Sequence, residues 1–199
     1  MKKILQLNCS ILGDYSVSKR LSDYTIKMLK HGEDFSVNTI DVTSLPHLNA
    51  DGLTAFSSPD DAQATEFQHL LDLSNQMINE LKNADIVVIG VPMYNFHIPS
   101  QLKSFFDFVM RKDITFKYTE KGPVGLLDDK KVYLLTASGG VYLATGDDLI
   151  TGYLKKALQF IGITDTHFFY AEGLDLDQGE NKEEIITNTQ QQIKEHFIK

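Results

Sequence analysis

With a single cysteine, Cys9, among its 199 residues, the chain can form no internal disulfide, and a reducing cytoplasm is its expected location. Basic residues are in deficit, 19 Lys and Arg against 27 Asp and Glu, for a formal net charge of −8. That balance argues against a nucleic-acid surface, which needs a basic stripe. It gives no reason to expect attraction to anionic membranes either, so neither nucleic acid nor membrane is expected as a partner. No stretch approaches the roughly 20 apolar residues of a membrane helix. The opening Met1-Lys2-Lys3-Ile4-Leu5-Gln6-Leu7-Asn8 is basic but lacks the apolar region of a signal peptide, and is expected to be a strand. Neither G-x-G-x-x-G nor G-x-x-x-x-G-K-[ST] occurs, which removes support for a dinucleotide or nucleoside triphosphate site. The histidines, at 31, 47, 69, 97, 167 and 196, show no metal-ligand spacing such as H-x-x-x-H, and no metal is expected. There is no internal repeat, linker or low-complexity tract.

What is present is ordinary for a globular protein: 42% hydrophobic and 23% charged residues. Residues 1–199 are expected to form one domain, long enough to bury a substantial core. Apolar runs or period-two alternation predict strands at 2–8, 35–41, 85–91, 131–137 and 166–171. Helices are predicted at 18–31, 65–82, 99–111, 148–161 and 181–198. The segment 43–62, rich in Ser, Asp, Asn and Pro, is expected to be an irregular excursion longer than a connector needs. Residues 114–127, with Gly, Pro and alternating aromatics, are expected to make a short hairpin. Strands alternating with helices imply an α/β fold: a doubly wound five-stranded parallel sheet, order 2-1-3-4-5, with helices on both faces.

The most informative stretch is Val91-Pro92-Met93-Tyr94-Asn95-Phe96-His97-Ile98-Pro99-Ser100-Gln101-Leu102-Lys103. It follows the buried-strand run Asp85-Ile86-Val87-Val88-Ile89-Gly90 and precedes Leu102, Phe105, Phe106 and Val109, spaced as one helix face. The turn therefore lies at the carboxyl edge of the sheet, where open α/β folds bind ligands. Tyr94, Asn95 and Phe96 in a row suit a flat, polar-edged ring, with backbone N–H groups on its edge. As pattern alone, an ordinary βα loop remains open.

Pro92-Met93-Tyr94-Asn95-Phe96 with Ser100-Gln101-Leu102-Lys103 resembles the flavin-binding turn of the FMN-dependent NADH-azoreductase and NADH:quinone oxidoreductase family, of flavodoxin-like fold. The resemblance extends through Ser10-Ile11-Leu12, Tyr15-Ser16-Val17-Ser18, Thr115-Phe116-Lys117-Tyr118-Thr119-Glu120, Gly122-Pro123, Gly139-Gly140, Phe160-Ile161-Gly162-Ile163-Thr164 and Ala171-Glu172-Gly173. It implies one non-covalent FMN per subunit, NADH or NADPH as electron donor, and ping-pong hydride transfer through flavin N5 to quinones and azo compounds. Because the cofactor carries the chemistry, no catalytic side chain is expected.

After the first strand, Ser10, Ser16 and Ser18 open onto a helix amino terminus, whose orphan N–H groups and partial positive charge suit one phosphate monoester. Taken alone, Ser16 or Ser18 reads as a helix cap. Beside the turn at 91–97 the phosphate reading, with Val17 between the two serines, prevails. By resemblance, Met93, Tyr94, Asn95 and Phe96 take one ring edge, and Ala137, Ser138, Gly139 and Gly140 the pyrimidine edge. Ala137 departs from the family's commoner serine, and Tyr142 replaces a smaller or polar residue. The pocket for flat aromatic substrates is expected at Phe116, Tyr118, Tyr142 and Phe160, with Phe160 reaching across a homodimer interface. Without the family match, Phe160 reads equally as core beside Leu154, Leu158 and Ile161, and Tyr142 as a surface aromatic. Cys9 is expected to be structural, and His97 to be inessential. The runner-up function is a flavodoxin-type electron carrier. A flavin-free interaction domain on the same fold is the third reading.

Overall fold

A computed structural model describes residues 1–31, 34–57 and 66–198. In chain order it forms β1 (Lys2–Asn8), α1 (Val17–Leu29), β2 (Phe35–Asp41), α2 (Ala50–Ser57), α3 (Gln68–Asn83), β3 (Ile86–Pro92), α4 (Ser100–Val109), β4 (Phe116–Thr119), β5 (Gly122–Gly125), β6 (Lys131–Ala137), α5 (Leu149–Phe160), β7 (Asp165–Ala171) and α6 (Lys182–Ile198). The main sheet is five-stranded, in the order β2-β1-β3-β6-β7. Every neighbouring pair in it is parallel. With the β4–β5 hairpin set aside, this is the expected order 2-1-3-4-5.

Alternation along each strand divides the core into two layers. Leu5, Leu7, Val87, Ile89, Val132 and Leu134 face the layer that holds the apolar sides of α3, α4 and α5. Ile4, Val88, Tyr133, Leu135 and Phe169 face the layer of α1 and α6. The first layer contains the largest fully buried side chains, Phe105, Phe106 and Phe108 of α4, each contributing about 1.5–3 kcal/mol by leaving water. That burial clamps α4 under the turn that precedes it.

The excursion is more ordered than its composition suggests. A 3-10 turn spans Val42–Ser44 and α2 follows, its entry held by Asn49, whose Oδ1 accepts the Gly52 N–H at 3.0 Å. Residues 58–62 of that excursion, and residue 65 at the start of the expected helix 65–82, lie outside the described residues. The hairpin is confirmed as an antiparallel pair. It docks where α5 ends: Leu127 N–H donates to Ile161 O at 2.9 Å, and a Cβ on Gly125 would fall 2.0 Å from Gly162 N. Only two glycines let the backbones meet this closely. Gly162 is also needed for its φ of +105°.

Candidate functional site

The loop after β1 leads through the 3-10 turn Gly13–Tyr15 into α1. Ser16 is the N-cap, its Oγ accepting the Lys19 N–H at 3.2 Å. The Ser16 and Ser18 hydroxyls lie 3.1 Å apart and are only 3% and 1% exposed. Val17 and Ser18 N–H, in the first turn, find no acceptor among the described residues. Gly90 brings this turn onto the sheet, since a Cβ there would lie 2.9 Å from Ser18 O. Two further contacts were invisible in the sequence. The Tyr94 hydroxyl accepts the Ile11 N–H at 3.2 Å and shares a hydrogen bond of 3.2 Å with Ser10 Oγ. Tyr94 thus ties the turn after β3 to the loop after β1, besides offering its ring.

The turn after β3 is anchored at both ends. Met93 N–H donates to Ala137 O at 2.8 Å, and Tyr94 and His97 exchange backbone bonds of 2.9 and 3.1 Å. Between them Asn95 and Phe96 adopt φ of 50° and 68°. Left-handed backbone at two non-glycine residues costs energy and persists only where the surroundings enforce it, as functional turns do. Neither Asn95 N–H nor Phe96 N–H has an acceptor among the described residues.

The loop after β6 is laced to the loop after β7. Leu174, Asp175 and Gly173 N–H donate to the carbonyls of Ser138, Gly139 and Gly140 at 3.1, 3.1 and 3.0 Å. Glu172 Oε1 accepts Tyr142 N–H at 2.8 Å and Leu143 N–H at 3.0 Å. These bonds consume carbonyls and leave donors: Gly139 and Gly140 N–H meet no acceptor among the described residues. A Cβ on Gly139 would lie 2.3 Å from Asp175 Oδ2, so the Asp175 carboxylate rests against the bare backbone of this loop.

These segments converge on one cleft. All of the expected cofactor residues line it except Asn95, Phe96 and Gly140, and it is completed by Leu12, Tyr15, Leu174, Asp175 and Lys182. No local pattern pointed to Asp175 or Lys182, which reach the cleft only because β7 neighbours β6 and α6 packs beside α1. The cleft holds about 150 Å³, less than the cavity of about 700 Å³ beside Phe56, Arg111 and Phe116. Its donors distinguish it, not its size. Hydroxyls and orphan N–H groups gather at the end formed by α1, and unpartnered N–H groups occur in both turns. This donor set fits a phosphate monoester at one end and the carbonyl-edged ring of a flavin at the other, so FMN suits the residues present.

The expected pocket aromatics fall into two groups. Phe116 is buried and packs on Phe160 at a ring distance of 4.5 Å and on Tyr118 at 5.6 Å. Tyr118 is 63% exposed. Tyr142 instead meets Phe96 edge-on, at 5.7 Å and 84°. Phe160 is half-buried and packs against the core. Cys9 is buried, and desolvation followed by the charge of Asp41 pushes its thiol far up, so it stays an inert thiol. His97 rests against Tyr153 at 5.1 Å. The Tyr153 phenol is pushed up to about 12 by burial and by Asp107. No group of three or more His, Cys, Asp or Glu able to hold a metal occurs among the described residues. In those same residues no helix is long and apolar enough to cross a membrane.

Comparison with known proteins gives this geometry a family. A family model described as "Flavodoxin-like fold" matches residues 2–197. The FMN-dependent NADH:quinone oxidoreductase of Cellvibrio japonicus (strain Ueda107) is 39% identical over 99% of this chain and 99% of its own length. That of Haemophilus influenzae (strain PittEE) is 45% identical over 88% of each. Among solved structures, an FMN-dependent NADH-azoreductase from Bacillus anthracis str. Ames Ancestor, in complex with FMN, superposes with a TM-score of 0.87 at 28% identity, over 100% of this chain and 98% of that one. The chain belongs to the flavodoxin-like, FMN-binding family related to the NADH:quinone oxidoreductases and azoreductases.

Proposed function

We propose that this protein is an FMN-dependent oxidoreductase that uses NAD(P)H to reduce quinones and to cleave aromatic azo bonds. The observation that carries it is the convergence on one cleft of the Ser10, Ser16 and Ser18 hydroxyls and the unpartnered Val17, Ser18 and Gly139 N–H groups, with Pro92, Met93 and Tyr94 of the turn after β3 beside them. Bound there, FMN supplies reversible two-electron chemistry that no side chain of the chain provides. Ser10, Ser16, Val17 and Ser18 hold the phosphate end. Pro92, Met93, Tyr94, Asn95 and Phe96 form one ring edge, and Ala137, Ser138, Gly139 and Gly140 the other. Fixed N–H dipoles there favour the negative charge that accompanies reduction, without reorganising. Phe116, Tyr118, Phe160 and Tyr142 offer stacking surface to flat donors and acceptors.

Residues 1–199 act as one domain in this reading, supported by two core layers that share a single sheet. The active species is a homodimer. Support comes from Ile11, Leu12, Tyr15, Phe96, Tyr118, Val124, Leu126, Val141 and Leu143, all exposed in loops or the hairpin beyond the carboxyl edge of the sheet. Apolar surface so concentrated marks an interface or a ligand groove. A cytoplasmic location belongs to the same proposal, supported by the lone buried thiol. The test is anaerobic mixing of the yellow holoprotein with NADH and then with NADPH. Prompt bleaching, reversed on adding a quinone, is expected. A yellow protein that neither nicotinamide bleaches is instead an electron carrier, and a colourless one that refuses FMN overturns the proposal outright.

A further inference from the structure

The loop after β6 is held from outside its own strand. Glu172, the first residue beyond β7, spends one carboxylate oxygen on both Tyr142 N–H and Leu143 N–H, at 2.8 and 3.0 Å. An ionised acceptor makes these bonds stronger than neutral ones. The carbonyl of Tyr142 is held as well, accepting Asp147 N–H at 3.2 Å and Thr145 Oγ1–H at 3.0 Å. At the far end of the loop, Asp148 caps α5 through Ile150 and Thr151 N–H. Tyr142 therefore has a fixed backbone on a segment with little secondary structure.

Its ring has a partner across the cleft. The edge-on contact with Phe96, 5.7 Å between centroids, joins the loop after β6 to the turn after β3. The backbone that carries Phe96 sits at φ 68° inside the Tyr94–His97 bridge. Tyr142 also folds back onto Gly140, where a Cβ would meet its Oη at 2.8 Å. Two aromatics on held backbones thus meet between the two turns assigned to the flavin ring.

We propose that Phe96 and Tyr142 form an aromatic gate that limits the width of the flat molecule admitted to the ring, and that Glu172 is the positioning residue that holds Tyr142 in it. The inference rests on the function proposed above and adds a determinant of acceptor size to it. Glu172 touches neither acceptor nor cofactor in this scheme. It acts through Tyr142 by taking up two N–H groups, which also leaves the neighbouring Gly139 and Gly140 N–H as the donors for the ring.

The test uses oxidised holoprotein and two redox-inert anions of equal charge, benzoate with one ring and anthracene carboxylate with three. Binding is read from the perturbation of the flavin spectrum, so turnover is not required. Tyr142→Ala should tighten anthracene carboxylate relative to benzoate by about tenfold, the low end of what steric discrimination in an apolar pocket supplies. Its affinity for FMN should stay within about twofold of the parent's, since Tyr142 holds none of the cofactor. Glu172→Ala should move the same ratio in the same direction. Glu172→Gln, which keeps an acceptor oxygen at the same reach, should restore the parent's ratio, whereas a merely structural role predicts equal damage from both changes. An unchanged ratio in Tyr142→Ala, or weaker anthracene carboxylate binding there, overturns the gate. Failure of Glu172→Gln to differ from Glu172→Ala removes Glu172 from it. If Glu172→Ala does not fold, Tyr142→Ala still decides the gate, and Glu172→Gln failing to hold the parent's ratio still removes Glu172. Should the parent bind both probes yet oxidise no nicotinamide, the proposed function fails while the ratio still tests the gate.

Discussion

Ser16 is a helix cap and, in the proposed function, a phosphate ligand at once, and the two roles do not compete. A hydroxyl has two lone pairs and one hydrogen. Accepting Lys19 N–H at 3.2 Å uses a lone pair and leaves the O–H to donate to an anion. Removing the Ser16 and Ser18 hydroxyls together should therefore weaken FMN by at least about a hundredfold, since each bond to a charged group is worth about 1.5–3 kcal/mol. Riboflavin, which lacks the phosphate, should lose no more than a few fold. The same variant should melt a few degrees lower through the lost cap, about 1 kcal/mol. Fluorescence titration with both flavins checks this, and an equal loss for the two would mean that the serines serve the fold alone. Ser10, Ser16 and Ser18 were legible in the sequence because hydroxyls before a helix have one obvious geometric use. The Tyr94 hydroxyl was not. Its partners Ser10 and Ile11 become neighbours only through β1–β3 pairing, which no local pattern encodes.

At the scale of elements, the proposed aromatic pocket depends on a docking that a single methyl group would strain. The β4–β5 hairpin carries Phe116 and Tyr118 and touches the end of α5 through glycine backbones. An added Cβ at Gly125 has 2.0 Å to Gly162 N and 2.2 Å to Ile161 C. Backbone atoms cannot step aside as a flexible side chain does. Gly125→Ala should thus cost about 1–3 kcal/mol or somewhat more, as overpacking does. Urea unfolding should show a lower midpoint, and limited proteolysis should cut first within 116–125. A midpoint equal to the parent's would contradict the backbone contact. The hairpin, the five main strands and the long helices were readable from alternation and from the spacing of apolar residues. Helix α2 was not, because Gly52 and the Ser, Asp and Asn around it carry the composition of a loop. The Leu48 methyl lies over Gly52, 2.5 Å from where a Cβ would stand. Glu172 was visible as part of a family motif, yet its use as the clasp of a loop 30 positions earlier follows from β6–β7 pairing and could not be read locally.

For the whole molecule, assembly is the property most open to measurement. Phe160 packs on Phe116 at the margin of the core while Tyr118 projects outward, so one aromatic group faces both the core and the exterior, where the proposed partner would meet it. Sedimentation at micromolar concentration should give about twice the chain mass, as expected for an isologous pair. Phe160→Ala should lower both dimer stability and turnover. A fully active monomer would overturn the homodimer, and a dimeric Phe160→Ala variant of full activity would remove Phe160 from the site. The lacing of the loop after β6 by the loop after β7 has one more consequence, and it concerns the order of synthesis. The carbonyls of residues 138–140 are gathered by N–H groups of residues 173–175, which leave the ribosome later than every strand of the sheet. Until they arrive, the donors at Gly139 and Gly140 have no fixed direction, and the cleft lacks one wall. A chain cut short before β7 is therefore expected not to hold the pigment, so that yellow colour in this protein would report that β7 and the loop beyond it have been made and correctly placed.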